Sequence, residues 1–256
     1  MEHPIFNRIE KAQKPDFGDL LTKSFDAVKA LWEPALYHGL LNMLFVLPVL
    51  IAVYVPFIPM YVGILENMGN PYYNPEFDYS VAFIVGYVLV VLLFSLFIQI
   101  FSFSLVAHFY KVIRLKDIGS AEKPGSYFSY LKGNFGKIFL LNLAAMGIAV
   151  VAALLCYLPI FYVMVPLQLF AVLFTFNQDL SVSQIIKAAF KLGHKFWLII
   201  FGIVMIASMV AQLGMIACFV GMFVTQLFVH IPIYHIYKST IGFPEDEAEP
   251  SVGVLQ

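Results

Sequence analysis

Histidine is the side chain in this sequence best suited to acid–base or metal chemistry, and the chain has six histidines. A metal site needs at least three ligands and further residues that support them. His108, His230 and His235 are predicted to approach the same side of a membrane. His230 and His235 are five residues apart and share no helix face, although Pro232 could bend the chain between them. We therefore predict no metal and no cofactor, and interpret these residues as interfacial histidines beside Tyr and Lys.

Catalytic motifs are missing from the sequence. It has no HExxH, no GxSxG and no cluster of acidic residues, which metal-dependent or nucleophilic hydrolases would need. No Asp, Glu, Lys or Arg lies within a predicted membrane span, whereas ion-coupled transporters and proton pumps usually keep such residues there. We predict that the protein is not an enzyme and does not couple transport to ions. Passive passage of an apolar molecule stays open.

Two sets of polar residues are candidate binding sites. One is a basic stripe in which lysines recur every fourth residue along a predicted amphipathic helix: Lys187, Lys191 and Lys195. Such a stripe could hold an anionic lipid headgroup, together with Lys111 or Lys238, or could be topological charge alone. The other is a set of intramembrane amides, Gln99, Gln168 and Gln226, which would converge if the chain has internal symmetry. Interhelical hydrogen bonding is the structural alternative for these amides.

The composition is that of a polytopic membrane protein. The 256 residues are 61% hydrophobic and 12% charged, against about 25% charged in soluble domains. A net charge of −1 gives no reason to expect a nucleic-acid partner, and two cysteines make no disulfide framework. The polar N-terminus has no apolar signal-peptide core, so no cleavage is expected. Membrane lipids and other membrane-protein subunits are the expected partners.

Apolar runs predict an all-α fold with six transmembrane helices. They are arranged as three parallel helical hairpins, each preceded by a cytoplasmic interfacial amphipathic helix. The predicted spans are residues 35–56, 80–110, 138–157, 160–176, 197–215 and 217–237. One membrane domain, 16–238, would lie between a polar arm, 1–15, and an acidic disordered tail, 239–256.

The basic residues predict the orientation. All 15 Lys and Arg lie before the first span, between spans two and three, between spans four and five, or after span six. Because Lys and Arg accumulate on the cytoplasmic side, both termini are predicted to be cytoplasmic. We expect a bacterial cytoplasmic (inner) membrane.

Self-similarity predicts three repeat units at about 16–114, 124–180 and 181–238. Trp32, Phe135 and Trp197 anchor the alignment, and a Phe lies seven residues before each of them. Cys156 and Cys218 both fall 21 residues after their anchors. The sequence leaves open whether they form a disulfide or remain two free thiols.

The aromatic segments 25–32, 128–135 and 190–197 carry a family resemblance. With six spans and no soluble domain, residues 16–238 resemble uncharacterised bacterial inner-membrane proteins and the membrane domain attached to some glycerophosphodiester phosphodiesterases. The resemblance implies a membrane module and brings no active site. Mitochondrial carriers also have three two-span repeats, but their Pro-x-acidic-x-x-basic signature is missing after Pro56 and Pro159. We predict a non-enzymatic protein that interacts with lipid or serves as an accessory subunit of an envelope complex, with a transporter or channel for an apolar or lipid-like solute as the alternative.

Overall fold

Helices dominate the structure, a computed structural model that describes residues 3–70, 72, 79–155, 158–217 and 221–243. Those residues contain no strand. The elements are α1 (Pro4–Lys11), α2 (Phe17–Tyr54), a 3₁₀ turn (Val55–Phe57), α3 (Ile58–Glu66), α4 (Val81–Asp117), α5 (Phe135–Leu154), α6 (Leu158–Phe176), α7 (Val182–Lys195), α8 (Trp197–Ala217), α9 (Gly221–Thr225) and α10 (His230–Thr240).

Among the described residues, five helical stretches are long and apolar enough to cross a membrane, judged by length and composition: Phe17–Glu66, Val81–Asp117, Phe135–Leu154, Leu158–Phe176 and Trp197–Gly214. They correspond to the first five predicted spans. The chain therefore has the character of an all-helical membrane-embedded protein. The first stretch is longer than predicted, because α3 continues it into the residues expected to form a loop.

The segment predicted as a sixth span is not one continuous helix. It is divided into α9 and α10 by a turn over residues 226–229. Phe228 N–H donates to the Thr225 carbonyl at 3.0 Å, and Ile231 N–H donates to the Phe228 carbonyl at 3.1 Å, so the chain tightens to 3₁₀-like bonding there. Pro232 follows and has no N–H to restore the α-helical pattern.

The segments that lead into the three predicted hairpins differ from one another. The first is continuous with its span, since α2 runs without a break through Pro34. The second, predicted as a short helix starting at Ser126, is instead a series of turns between Gly125 and Asn134. Gly125 and Gly133 have positive φ angles of 88° and 85°, which a helix cannot contain. The third is the separate helix α7.

Three unrelated entry geometries give the predicted three-fold repeat no support. Its best evidence, the equivalence of Cys156 and Cys218, lies outside the described residues, as does any disulfide between them.

α7 begins where the sequence predicts. Ser181 Oγ accepts from the Gln184 N–H at 3.3 Å, and Gln184 Oε1 accepts from the Ser181 N–H at 2.8 Å. This reciprocal capping box satisfies two backbone donors at the start of the helix. Gly193 then brings α7 close to α6, because a Cβ at that position would lie 3.2 Å from Pro166 Cα.

Both ends of the chain contain more structure than expected. The predicted polar arm holds α1, whose Ile5, Phe6 and Ile9 are buried. At the other end α10 continues to Thr240, and Phe243 lies under the Arg114 guanidinium at 3.8 Å. The remainder of the predicted tail, 244–256, is outside the described residues. Apolar side chains at i and i+4 of α1 have a partner surface on α7, which explains why this short helix forms.

The buried core lies at one end of the helical bundle. It joins α1, α7 and α10 to the first halves of α2, α5 and α8 and the second halves of α4 and α6. The opposite halves of α2 and α4 expose most of their large apolar side chains. Polar and charged residues therefore gather beside the packed end.

Gly39→Ala should test the contact between α2 and α9. A Cβ at Gly39 would collide with the Phe223 carbonyl oxygen and lie 2.5 Å from Gln226 Nε2. We expect a loss of about 1–3 kcal/mol of stability from overpacking, seen as a lower melting temperature in detergent. Gly86→Ala on α4 is the control, because no atom lies within 4 Å of its Cβ position. It should be neutral or stabilising by about 0.5–1 kcal/mol. Equal melting temperatures for the two variants would contradict the close approach.

Candidate functional site

Two histidines form a buried pair where α2 crosses α4. His38 Nε2 and His108 Nδ1 lie 2.7 Å apart, and His38 Nδ1 lies 2.7 Å from the Pro34 carbonyl oxygen. A carbonyl only accepts, so His38 Nδ1 carries the proton. In a neutral pair His38 Nε2 then accepts from His108 Nδ1–H. The Nε2 atom of His108 is buried and has no hydrogen bond of normal geometry among the described residues, although the Gly125 carbonyl lies near the ring.

A cleft of about 460 Å³, the imidazole cleft, opens beside this pair. Its wall includes Tyr127, whose ring centroid lies 4.8 Å from that of His38 and 5.0 Å from that of His108. The charged residues in its lining are Glu33, Glu122, Lys116 and Lys123. A buried imidazole nitrogen and charges of both signs make this cleft a polar pocket at the packed end of the bundle.

A second cleft, of about 490 Å³, lies between α2, α4 and α10. We call it the Asp26 cleft. Its charged lining residues are Asp19, Asp26, Asp117, Lys23, Lys116 and Lys238. Two ion pairs use four of them: Lys23 with Asp19 at 2.6 Å, and Lys238 with Asp117 at 2.7 Å. Within the described part of the chain, Asp26 and Lys116 make no ion pair.

His235 also lines the Asp26 cleft. The residue is 9% exposed, and its Nε2 has no hydrogen-bond partner among the described residues. A neutral imidazole can donate or accept at this atom, depending on its tautomer. The cleft thus combines one carboxylate, one ammonium and one imidazole nitrogen that are free to meet a ligand.

The carboxylate of Asp117 ties α10 to the end of α4. It accepts from Tyr234 Oη at 2.6 Å and from Lys238 Nζ at 2.7 Å, and Arg114 Nη1 lies 3.8 Å away. These donors come from both helices. The wall of the Asp26 cleft is therefore fixed by charge-assisted hydrogen bonds.

An apolar groove of about 300 Å³ adjoins the Asp26 cleft. Phe25 and Phe228 contribute rings 5.3 Å apart, and Trp32, 53% exposed, lies in the same lining. Lys29 is the one charged residue among the described residues of this lining. Leu31 lines both the groove and the Asp26 cleft, so the two are neighbours on α2.

The predicted basic stripe faces α1. Lys191 Nζ pairs with Glu10 at 2.5 Å. Lys195 Nζ donates to the carbonyls of Ile9, Glu10 and Ala12 at 2.9, 2.6 and 2.8 Å, respectively. Lys187 Nζ lies 4.9 Å from the centroid of the Phe6 ring. The cations therefore hold a helix of the same chain.

The other two lysines of the predicted lipid site also have partners within the chain. Lys111 pairs with Glu122 at 3.2 Å and Lys238 pairs with Asp117. The five lysines are not assembled into one anion site. Sequence reasoning missed that the N-terminal arm is a helix whose C-terminal carbonyls attract a lysine.

A contact of His3 also links the N-terminus to the segment that precedes α7. His3 Nε2 lies 2.6 Å from Asp179 Oδ2, and this hydrogen bond lowers the pKa of Asp179 below its ordinary value. The contact is solvent-exposed and adds little stability by itself. It completes the docking of α1.

The predicted amide cluster does not assemble either. Gln226 lies against α2, where its Nε2 approaches Gly39 and donates to the Phe223 carbonyl at 3.4 Å. Gln99 lines a cleft of about 600 Å³ beside α5, and Gln168 lines a neighbouring one of about 310 Å³. Without the repeat there is no common axis on which the three amides meet.

The three histidines predicted on one side have different environments. His108 pairs with His38, His230 Nδ1 lies 3.2 Å from Tyr110 Oη, and His235 faces the Asp26 cleft. Within the described residues no group of three or more His, Cys, Asp or Glu could hold a metal ion. The sequence missed the pairing of His38 with His108. The predicted hairpin places the start of span one, with His38, beside the end of span two, with His108, and could have indicated this pairing.

No family model, curated protein or solved structure matches this chain. The resemblance to the membrane domain of some glycerophosphodiester phosphodiesterases stays a prediction.

Lys195→Gln should loosen α1 from α7. It removes a cation that donates to three carbonyls at the end of α1. Hydrogen bonds to charged groups contribute roughly 1.5–3 kcal/mol, so amide hydrogen exchange over residues 4–11 should rise about ten- to hundredfold. Lys132→Gln is the control, since Lys132 has no side-chain partner among the described residues. Unchanged exchange in the Lys195 variant would show that the lysine does not hold α1.

Proposed function

We propose that this chain is a six-span protein of a bacterial cytoplasmic membrane that acts without catalysis, through contact with lipid or as an accessory subunit of a membrane complex. The observation that carries the proposal is that the first two apolar helices leave their apolar side chains almost wholly exposed. In the most hydropathic stretch of Phe17–Glu66 no residue is buried, and in that of Val81–Asp117 only 6% are. The value for Leu158–Phe176 is 50%. Surface of this kind needs an apolar environment outside the chain.

The bare hairpin is held together from within. Tyr87 Oη donates to the Val53 carbonyl at 2.7 Å, and Ser102 Oγ donates to Asn42 Oδ1 at 2.6 Å. Phe45 and Phe101 stack with ring centroids 4.8 Å apart. Because the inner faces of the two helices make these hydrogen bonds and ring contacts with each other, their outer faces are available to acyl chains or to helices of another subunit.

The broken α9–α10 segment completes the sixth crossing in this proposal. Its turn has Thr225 Oγ1 donating to the Ala211 carbonyl at 2.8 Å, which supplies packing for irregular backbone against α8. Non-helical backbone is tolerated at membrane depth where protein covers it. The distribution of Lys and Arg supports cytoplasmic termini. For passage of an apolar solute, the described residues offer no feature that favours it over lipid contact.

Reporters on both sides of the membrane test the six spans. A thiol probe should label a cysteine at Asn70 from outside the cytoplasmic membrane, because its loop holds no Lys or Arg. A cysteine at Ser251 should be labelled only from the cytoplasm. Native cysteines are first replaced by serine, and that cysteine-free chain serves as the control. Labelling of Asn70 from the inside would overturn the orientation.

Photo-crosslinking tests what covers the hairpin. A benzophenone side chain at Leu93, which is 67% exposed, should react in native membranes with lipid or with one discrete partner protein. The same group at Leu105, 2% exposed on the same helix, should give internal products. Lipid adducts support the lipid-contact form of the proposal, and a single protein adduct supports the subunit form. Mainly internal products at Leu93 would contradict both forms of the proposal.

A further inference from the structure

The Asp26 cleft and the apolar groove follow one another along α2. The lining of the cleft extends along α2 from Asp19 to Leu31 and that of the groove from Phe25 to Ala35, so the two overlap but are offset. From Asp26 to Ala35 the helix rises about 14 Å. The polar cleft lies nearer the start of α2, and the groove lies toward its exposed apolar half. A polar chamber that leads into an apolar one matches a molecule with a polar head and an apolar chain.

The charges of the cleft favour a zwitterionic head. Three aspartates and three lysines give its lining a formal charge of zero. After the two ion pairs, Asp26 and Lys116 remain, with His235 Nε2 buried and without a partner. A phosphate can accept from Lys116 and from His235 in its Nε2–H tautomer. A primary ammonium can donate to Asp26, whose charge would repel a second anion.

The groove suits a hydrocarbon chain. Its described lining is made almost wholly of apolar and aromatic side chains, with Lys29 as its charged member. Phe25, Trp32 and Phe228 supply aromatic walls, and the Lys29 ammonium can meet the phosphate that joins head to chain. Leu31 is common to both linings, so the two spaces adjoin and lie within reach of one amphiphile.

We propose that the Asp26 cleft and the groove bind one phospholipid with a phosphate and a primary ammonium in its head. The ethanolamine head contacts Asp26, Lys116 and His235, and an acyl chain lies along the groove. This inference rests on the proposed function, because it requires the chain to lie among lipids. It predicts selection by head chemistry: a trimethylated choline head has the same charges but no N–H to donate to Asp26.

Native mass spectrometry of the protein in mild detergent measures this selection. The probes are ethanolamine, choline and glycerol phospholipids with identical acyl chains, and free phosphoethanolamine as a head without chains. We expect the ethanolamine lipid to bind about tenfold more tightly than the other two lipids, the effect of one charge-assisted hydrogen bond. Free phosphoethanolamine should not displace it. Equal binding of the three lipids, or displacement by the free head, overturns the proposal.

Matched variants locate the head. Asp26→Asn should remove the preference for ethanolamine over choline, whereas Glu33→Gln should keep it. Both changes remove one acid from α2, but Glu33 lines the imidazole cleft. Unchanged preference in Asp26→Asn, or loss of it in Glu33→Gln, contradicts the assigned site.

A second pair locates the chain. Val28→Trp fills the groove and should weaken binding of all three lipids about tenfold, whereas Leu40→Trp, on an exposed part of α2, should not. Melting temperatures establish that each variant is folded. If Leu93 still crosslinks to lipid while head selection and the groove effect are absent, this inference alone fails. If Leu93 gives neither lipid nor partner adducts, the proposed function fails as well.

Discussion

One carboxylate sets the arrangement on which the Asp26 cleft depends. Asp117 ends α4 and gathers Tyr234 and Lys238 of α10, with Arg114 beside it. A carboxylate at a helix C-terminus is opposed by the helix dipole, so it needs these cationic and hydroxyl partners. Their attraction seats α10 against the end of α4, and α2 packs on both helices. The space between these three helices is the Asp26 cleft. Charge pairing at the end of α4 thus fixes one wall of that cleft.

Hydropathy predicted the regular helices well. The runs predicted at 138–157, 160–176 and 197–215 correspond to Phe135–Leu154, Leu158–Phe176 and Trp197–Ala217. Helix formation in such segments is local, since each backbone bond is made within four residues, and the apolar run alone reveals it. Failures came where structure depends on backbone torsion: positive φ at Gly125 and Gly133, and the turn before Pro232.

The candidate sites were harder to predict because their partners are distant in sequence. Lys195 and Ile9 are 186 residues apart, and His38 and His108 are 70 apart. A stripe of lysines has the same spacing whether it faces phosphate or the end of another helix. The outcome depends on the tertiary contact between α1 and α7, which pack against each other. Sequence identified the charged positions correctly, but the partners followed from tertiary packing.

Pro34 lies where the bare hairpin meets the packed core, close to the His38–His108 pair. At about 57 Å, α2 is longer than the hydrocarbon layer and joins the bare hairpin to the packed core in one rod. Pro34 removes one backbone hydrogen bond at the junction, as Pro48 does within the hairpin, so α2 bends more easily at both positions. The Pro34 carbonyl also holds His38. A change of bilayer thickness that tilts the hairpin therefore places a mechanical load on the His38–His108 contact.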